Sequence, residues 1–451
     1  MTVSASKQIH LPPGVHTLPK GWDWSRLDDL CFGVIDCPHT TPKLVTDGFY
    51  YVVRTQDILT GVFRKDEAAR VSEETYLVRI ERGEPQYGDL LYSREGTYFG
   101  ISAEVPLSIK VCLGQRMMLI QPRPHMINHR YLRFWLNSPM MSGHIHGFRD
   151  GSVAERLNLP TVRGLPVAVP PIKEQRAIAR ILGALDDKIE LNRRQNATLE
   201  ALACAIFQSW FVDFDPVHAK AAGRAPAAMD AATAALFPDA FDVCDGREVP
   251  RGWRVGALSD FVLLNSEAWS KETRPDFIRY VDLSNTKWGR IEEIAVYQQQ
   301  DAPSRAQRIL QVGDTIVGTV RPGNGSYAFI SENGLTGSTG FAVLRPYKTE
   351  YAEFVYLAAT APENIAQLSH LADGGAYPAV RPEVVVATQV VQPSGSLLPR
   401  FSSLIRPLLT KSAQNERESR TLATLRDVLL PRLLSGELRV RAAEALVEGA
   451  I

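Results

Sequence analysis

Residues 173–212 read KEQRAIARILGALDDKIELNRRQNATLEALACAIFQSWFV, just after Pro170-Pro171-Ile172. Apolar side chains recur at Ile178, Ile181, Leu185, Ile189, Leu199, Leu202, Ile206 and Trp210, and one series, 178, 185, 192, 199 and 206, steps by seven. A second stretch, from about Leu398 to Ser435, carries Phe401, Leu404, Leu408, Leu422, Leu425, Leu429 and Leu433, with the series 401, 408, 415, 422 and 429. A sustained apolar period of 3.5 residues predicts a helix packed along a seam with another helix. One constant offset superposes the two series, Ile178 onto Phe401, and carries Asn192 onto Asn415. An Asn buried in a seam weakens packing but fixes register and partner choice. Matched phase and matched Asn therefore favour mutual pairing over two unrelated amphipathic helices. Each helix follows its own domain in the chain, so an antiparallel pair is expected to hold the domains at opposite ends. Forty helical residues span about 60 Å.

The duplication extends beyond the helices. Leu18-Pro19-Lys20-Gly21-Trp22 recurs as Val249-Pro250-Arg251-Gly252-Trp253. Tyr87-Gly88-Asp89-Leu90-Leu91 recurs as Val312-Gly313-Asp314-Thr315-Ile316, and Pro171-Ile172 is matched near Pro393-Ser394. The offset drifts slowly and stays near half the chain length, which means two tandem copies of one module with small insertions, not a solenoid. Before its helix, each copy is punctuated by Gly and Pro around short β-rich runs. In copy one these are Tyr50–Val53 and Thr75–Ile80; in copy two, Thr315–Val320 and Gly340–Leu344. The expected fold is α+β with a pseudo-twofold internal repeat. It has α/β domains at 1–170 and 249–394, helices at 171–213 and 395–438, a partly helical connector at 214–248 and a tail at 439–451.

Length and composition narrow the function. A chain of 451 residues with 45% hydrophobic and 22% charged residues is globular and holds two to four domains. No apolar run approaches the ~20 residues of a membrane span, and the first ten residues lack a signal core, so a cytoplasmic protein is expected. Cys31, Cys37, Cys112, Cys204 and Cys244 have no C-x2-C spacing, which supports neither a zinc knuckle nor a disulfide frame. The 50 Lys+Arg balance 50 Asp+Glu, yet 110–163 holds eight basic residues (Lys110, Arg116, Arg123, Arg130, Arg133, Arg149, Arg156, Arg163) against Asp150 and Glu155. Such a local cationic surface suits phosphate neutralisation.

Pro170-Pro171-Ile172-Lys173-Glu174-Gln175 resembles the "PP-x-x-E-Q" signature of the specificity subunits of type I restriction–modification systems. Ile181–Asn192, Leu199–Ala203 and Ile206–Phe214 are similar to that family's central helix, and Leu430–Leu438 to its usual ending. The Glu-Gln pair has no counterpart in copy two, where Ser394-Gly395-Ser396-Leu397 stands. The resemblance implies two target recognition domains, each reading half of a split DNA target, separated by two long antiparallel coiled-coil helices. It implies double-stranded DNA, two methyltransferase subunits and motor–nuclease subunits as partners. S-adenosylmethionine, ATP and Mg are used by the partners, with no cofactor and no active site in this chain. A bacterial or archaeal, nucleoid-associated location follows.

The residues agree with a non-catalytic reading. No G-x4-G-K-[ST] phosphate loop and no G-x-S-x-G nucleophile elbow is present. The nearest approach to an Asp/Asn-Pro-Pro-aromatic methyltransferase tetrad, Phe214-Asp215-Pro216-Val217, lacks the second Pro and the aromatic residue. His125/His129 and His144/His146 form a weak metal signal, and phosphate-facing or ordinary surface histidines fit them better. The DNA-contact candidates are Arg94 and Tyr98 in the loop after a predicted strand of copy one, with Arg123, Arg149, Ser152 and Arg156. In copy two they are Arg321, Asn324, Tyr327, Tyr377 and Arg381. Arg can donate two bonds to guanine, and Asn can pair with adenine. Phe207, Trp210 and Phe211 belong either to the seam or to a methyltransferase dock. Two alternatives make different predictions. A self-contained nuclease or methyltransferase would turn over alone, and an adaptor that never touches DNA would give no gel shift.

Overall fold

The computed structural model describes residues 9–12, 17–58, 61–96, 99–147, 156–244, 246–270, 272–375 and 377–448. They fall into two compact units: Met1–Leu191 with Glu418–Ile451, and Asn192–Arg417. The first unit begins with β1 (Asp23–Arg26), β2 (Cys31–Asp36), β3 (Leu44–Val45), β4 (Tyr50–Val53), β5 (Ala69–Val71), α1 (Glu73–Arg79), β6 (Leu90–Ser93), β7 (Ser102–Glu104), β8 (Lys110–Leu113) and β9 (Met117–Pro122). It continues through α2 (His129–Leu136), α3 (Pro139–His146), α4 (Leu159–Arg163), β10 (Pro166–Val169) and the first half of α5 (Ile172–Phe211).

The second unit continues with α6 (Asp215–Ala221), α7 (Ala231–Ala234), β11 (Phe241–Cys244), β12 (Arg247–Pro250), β13 (Arg254–Ala257), β14 (Val262–Leu264), β15 (Phe277–Val281), β16 (Thr286–Lys287), β17 (Arg290–Ile291), β18 (Ala295–Gln298), β19 (Ala306–Leu310), β20 (Thr315–Gly318), β21 (Tyr327–Phe329), β22 (Leu335–Ser338) and β23 (Phe341–Pro346). After α8 (Ala352–Thr360), α9 (Pro362–His370), α10 (Pro382–Val386) and β24 (Gln389–Gln392) comes α11 (Leu397–Leu434), whose last residues rejoin the first unit with α12 (Val440–Glu448).

The duplication is visible strand by strand. Sheet β2-β9-β6-β7 of the first unit matches β14-β23-β20-β21 of the second. The antiparallel pair β1–β10 matches β13–β24. In each second sheet a parallel pair, β4–β8 or β15–β22, has an antiparallel neighbour, β5 or β18. The copies part at the edges: the first sheet ends on β3 beside β5, the second on β19 beside β22.

One expected strand is a helix. Thr75–Ile80 lies within and just after α1, because Ser72 caps the segment, its hydroxyl accepting the Thr75 N–H at 3.2 Å, and Glu73 and Glu74 occupy the first turn. Tyr76 and Arg79, three apart, form its buried face, and Leu77 and Val78 point outward. Capping chemistry outweighs the β-rich composition of this run.

The seam is present in both units. In the first, Ile178, Leu182 and Leu185 share a core with Leu422, Leu429 and Leu433, and Asp186 takes Arg426 while Lys188 faces Glu418. In the second, Phe207, Trp210 and Phe211 share a core with Phe401 and Ile405. Within each unit, rising numbers on α5 meet falling numbers on α11, so the helices run antiparallel. Asn192 donates to the Asn415 carbonyl at 3.3 Å, and the Asn415 amide donates to Asn196 Oδ1 at 2.9 Å. Asn196 also donates to Ser412 O at 3.1 Å, so the expected Asn pair belongs to a larger polar layer. Leu199, Ile206 and Leu408 are half-buried along the seam. Leu202, expected on the seam, is exposed.

Candidate nucleic-acid interface

In the second unit three loops distant in sequence meet at one end of sheet β14-β23-β20-β21. The chain leaves β20 into Arg321-Pro322-Gly323-Asn324-Gly325, a short 3-10 turn with left-handed residues at both ends. The Arg321 N–H donates to Pro378 O at 2.7 Å, and Val320 bridges Ala379. The Arg321 guanidinium lies 4.8 Å from the centre of the Tyr377 ring, a cation–π arrangement, and that ring is 72% exposed. Asn324 and Arg381 are exposed, Asn324 within the turn and Arg381 immediately before α10. The hairpin β16–β17 closes on the same loop: Trp288 N–H donates to Gly325 O at 2.6 Å and Gly289 N–H to Tyr327 O at 3.0 Å. Tyr327 itself is buried, edge-on to Trp288 at 6.1 Å, and burial pushes its phenol up to about 12.

The first unit builds the same crossing with different side chains. Leu157 N–H donates to Arg94 O at 2.8 Å, and Glu95 bridges Arg156, as Val380 N–H donates to Thr319 O and Val320 bridges Ala379 in the second unit. These pairings place Arg94 opposite Thr319, and Gly96 opposite Arg321. Gly96 has φ +95° and Arg321 +47°, so arginine occupies a left-handed position that glycine fills in the other copy. Arg94 is 16% exposed and faces Asp36 at 3.4 Å, and Asp36 also faces His39. Arg156 and Arg116 are the outward cations here, Arg116 pairing with Glu95 at 3.4 Å. Arg116 is missing from the sequence-derived contacts, although its place in the basic run 110–163 is a usable signal. Tyr98, Arg149 and Ser152 lie outside the described residues. Arg123 stands elsewhere: it follows β9 at the end of the β6–β9 ladder opposite Arg94, over the exposed ring of Phe32 at 5.5 Å.

Each domain is seated on its helix by ion pairs of reversed sign. In the first unit Arg130 of α2 grips Asp187 of α5 through two nitrogens at 2.9 and 2.7 Å. Asp187 and the other bonds hold that guanidinium above its ordinary pKa. Arg133 reaches Asp186 at 2.8 Å and Glu104 at 2.9 Å. Burial lowers the neighbouring His129. In the second unit the domain supplies the carboxylate: Glu353 of α8 accepts from Arg406 of α11 at 2.7 Å. The helical offset that carries Asn192 onto Asn415 also maps Arg130 onto Glu353 and Gly183 onto Arg406. A Cβ on Gly183 would come within 2.7 Å of Arg130, so the glycine makes room for the domain's arginine as its counterpart supplies one.

The signature residues have positional roles. Glu174 accepts from the Trp22 indole at 3.1 Å, and buried Gln175 accepts from Asn128 N–H and donates to Met126 O and Pro170 O. In copy two Leu397 replaces the glutamate, and the buried Trp253 indole N–H has no acceptor among the described residues. Phe207, Trp210 and Phe211 are buried against Phe354 and Phe401, which makes them core. Among the described residues no group of three or more His, Cys, Asp or Glu is placed to hold a metal, and no helix is long and apolar enough to cross a membrane.

Each unit thus carries a copy of one β-rich module, with a loop crossing at one end of its sheet. A family profile described as "Type I restriction modification DNA specificity domain" matches residues 19–201. The chain is similar to the HindI type I restriction enzyme specificity subunit of Haemophilus influenzae, at 27% identity over a 445-residue alignment covering 86% of this chain and 94% of that one. It is also similar to the MjaIX specificity subunit of Methanocaldococcus jannaschii, at 23% identity, covering 94% and 95%. The crystal structure of a type I system S subunit from M. genitalium shares the fold, with a TM-score of 0.56 at 16% identity over 94% of this chain and 99% of that one. The chain thus holds, at residues 19–201, a DNA specificity domain of type I restriction–modification systems, and it is similar to specificity subunits over most of its length. It is the DNA specificity subunit of such a system, and is not itself catalytic.

Proposed function

We infer that each domain reads one half of a split double-stranded target with the loop tip described above, and that the paired helices set the spacing between the half-sites. The observation that carries this is the repeated crossing of two loops at one sheet end, Arg94–Glu95 with Arg156–Leu157 and Thr319–Arg321 with Pro378–Val380. The same construction twice in one chain suits a target of two parts. Arg321, Asn324, Tyr377 and Arg381 would face base edges or phosphates in one half. Arg116 and Arg156, with Arg149 and Tyr98, would do so in the other, and Arg94 braces the loop through Asp36. Arg123, at the far sheet end, fits an outlying phosphate contact. The partners are two methyltransferase subunits, which use S-adenosylmethionine, and motor–nuclease subunits, which use ATP and Mg. The complex works in the cytoplasm on the nucleoid. Methylome sequencing of the host with and without this gene tests the reading: a split methylated motif should vanish with the gene. Adding one turn to both helices should change the motif's spacer, and an unchanged spacer would remove the role assigned to the helices.

A further inference from the structure

The hairpin Thr286–Ile291 is no part of the sequence-derived site, and its tip is unusual. Trp288 is 56% exposed although it is the largest side chain type, and its backbone sits at φ +49°. A bulky residue in the left-handed region costs on the order of 1 kcal/mol and persists only where surrounding contacts enforce it. Here they do: both backbone bonds to Gly325 and Tyr327 pin the turn, and a Cβ on Gly325 would lie 2.6 Å from the indole ring. On the other side, a Cβ on Gly289 would lie 2.9 Å from Tyr356 Oη. The hairpin is thus fixed between α8 and the Arg321–Gly325 loop, with one indole face packed down and the rest turned outward. Lys287 beside it is exposed. In the first unit the chain between β4 and β5 forms no such hairpin among its described residues.

We propose that Trp288 is a specificity-determining residue of the second domain, contacting the C5-methyl group of a thymine in that domain's half-site. The inference rests on the reading that the tip around Arg321 faces DNA. Thymine is the one base that presents an apolar group in the major groove, and a fixed, half-exposed indole beside a cation–π pair offers the matching apolar surface next to donors for neighbouring polar edges. The preformed hairpin pays its ordering cost before binding.

The test uses the full chain assembled with its methyltransferase subunits, and duplexes carrying its own methylated motif. Each thymine of either strand in the second-domain half-site is replaced in turn by uracil, which removes only the methyl group. One replacement should weaken wild-type binding ~10-fold, the size of one lost methyl contact. Trp288→Ala should bind the thymine duplex that weakly and no longer distinguish it from the uracil duplex, while Trp288→Phe should keep part of the distinction. A Trp288→Ala complex that separates thymine from uracil as the wild type does overturns the proposal, as does a wild type indifferent to every replacement. If Trp288→Ala proves unstable on heating, the wild-type series and Trp288→Phe decide alone. Failure of the wild-type complex to bind its split motif at all would instead overturn the underlying assignment of the tips to DNA.

Discussion

The same strand end is finished differently in the two units. Asp89 and Asp314 both stand just before the central strands β6 and β20, both buried. Asp89 meets the neutral Gln121 at 3.3 Å, and burial raises its pKa. Asp314 meets Arg345 through two bonds at 2.9 and 2.8 Å, with Glu267 on the far side of the same guanidinium. The seats repeat the lesson: Arg130 on Asp187 in one unit, Glu353 under Arg406 in the other. So do the tips, where Arg94 is folded inward onto Asp36 and Arg321 is turned out over Tyr377. Backbone geometry has been kept through the duplication, and these polar groups have acquired different partners in the two copies. A recognition module tolerates such divergence because hydrogen-bond satisfaction, not a particular pair, is what a buried group requires.

The largest effect should come from neutralising the buried carboxylate that is paired with an arginine. Asp314→Asn leaves the half-buried Arg345 with Glu267 and the Ile309 carbonyl, which should cost ~3 kcal/mol by the usual penalty for breaking a buried pair. Asp89→Asn should be neutral or stabilising at pH 7. A carboxyl with a raised folded pKa contributes stability that is complete below its unfolded value of about 4 and is lost as pH rises through the raised value. The amide removes that loss, so the difference between Asp89→Asn and wild type should be greatest at neutral pH and disappear below about pH 4. Calorimetric melting across that range checks both, and equal effects of the two substitutions would erase the contrast.

At the tips the same substitution should report on different properties. Arg321→Ala should weaken binding by about 1–3 kcal/mol in one half-site only, with the fold intact. Arg321→Gly separates contact from conformation: it should lose the same affinity while relieving left-handed strain, as Gly96 does in the other unit. Arg94→Ala should lower melting temperature through stranded Asp36, and affect recognition only through the loop it braces. Titrations of each variant against duplexes mutated in one half at a time distinguish these outcomes. A pure affinity loss in Arg94→Ala at unchanged stability would reverse the two arginines' roles.

Periodicity and repetition make much of the molecule legible in the sequence. The long helices, Ile172–Phe211 and Leu397–Leu434, coincide with the periodic stretches, since seven-residue spacing and flanking prolines act locally. The duplicated Pro-x-Gly-Trp and Gly-Asp motifs expose the repeat that the matching sheets display. Other features depend on partners far away in the chain. Arg94 reads as a DNA contact until Asp36, far upstream, is placed beside it. Nothing local marks Trp288 as an exposed residue, and only the fold sets it on Gly325. The reversed seat charges require knowing that α2 lies on α5, and α8 on α11. Asn196 escapes the pattern because it sits one helical turn off the heptad series that reveals Asn192.

The smallest predicted effect concerns the signature glutamate. Glu174 satisfies the Trp22 indole in the first unit, and Arg439 of the returning chain faces the same carboxylate at 3.6 Å. Leu397 leaves Trp253 without that acceptor in the second. If the glutamate acts by satisfying a buried donor, Glu174→Leu should convert the first unit to the chemistry of the second. The cost is one hydrogen bond to a charged group, about 1.5–3 kcal/mol, reduced because leucine adds apolar contact at the helix start. A net loss of ~1 kcal/mol, with DNA half-site preferences unchanged, is therefore expected from denaturant melts and binding titrations. The reciprocal Leu397→Glu should restore an acceptor to Trp253 and gain less than Glu174→Leu loses, because Leu397 is fully buried and a carboxylate in its place is stripped of water. A change in recognition of either half-site would instead mean that the motif positions the reading loops, and that the second unit lost the glutamate for reasons of specificity.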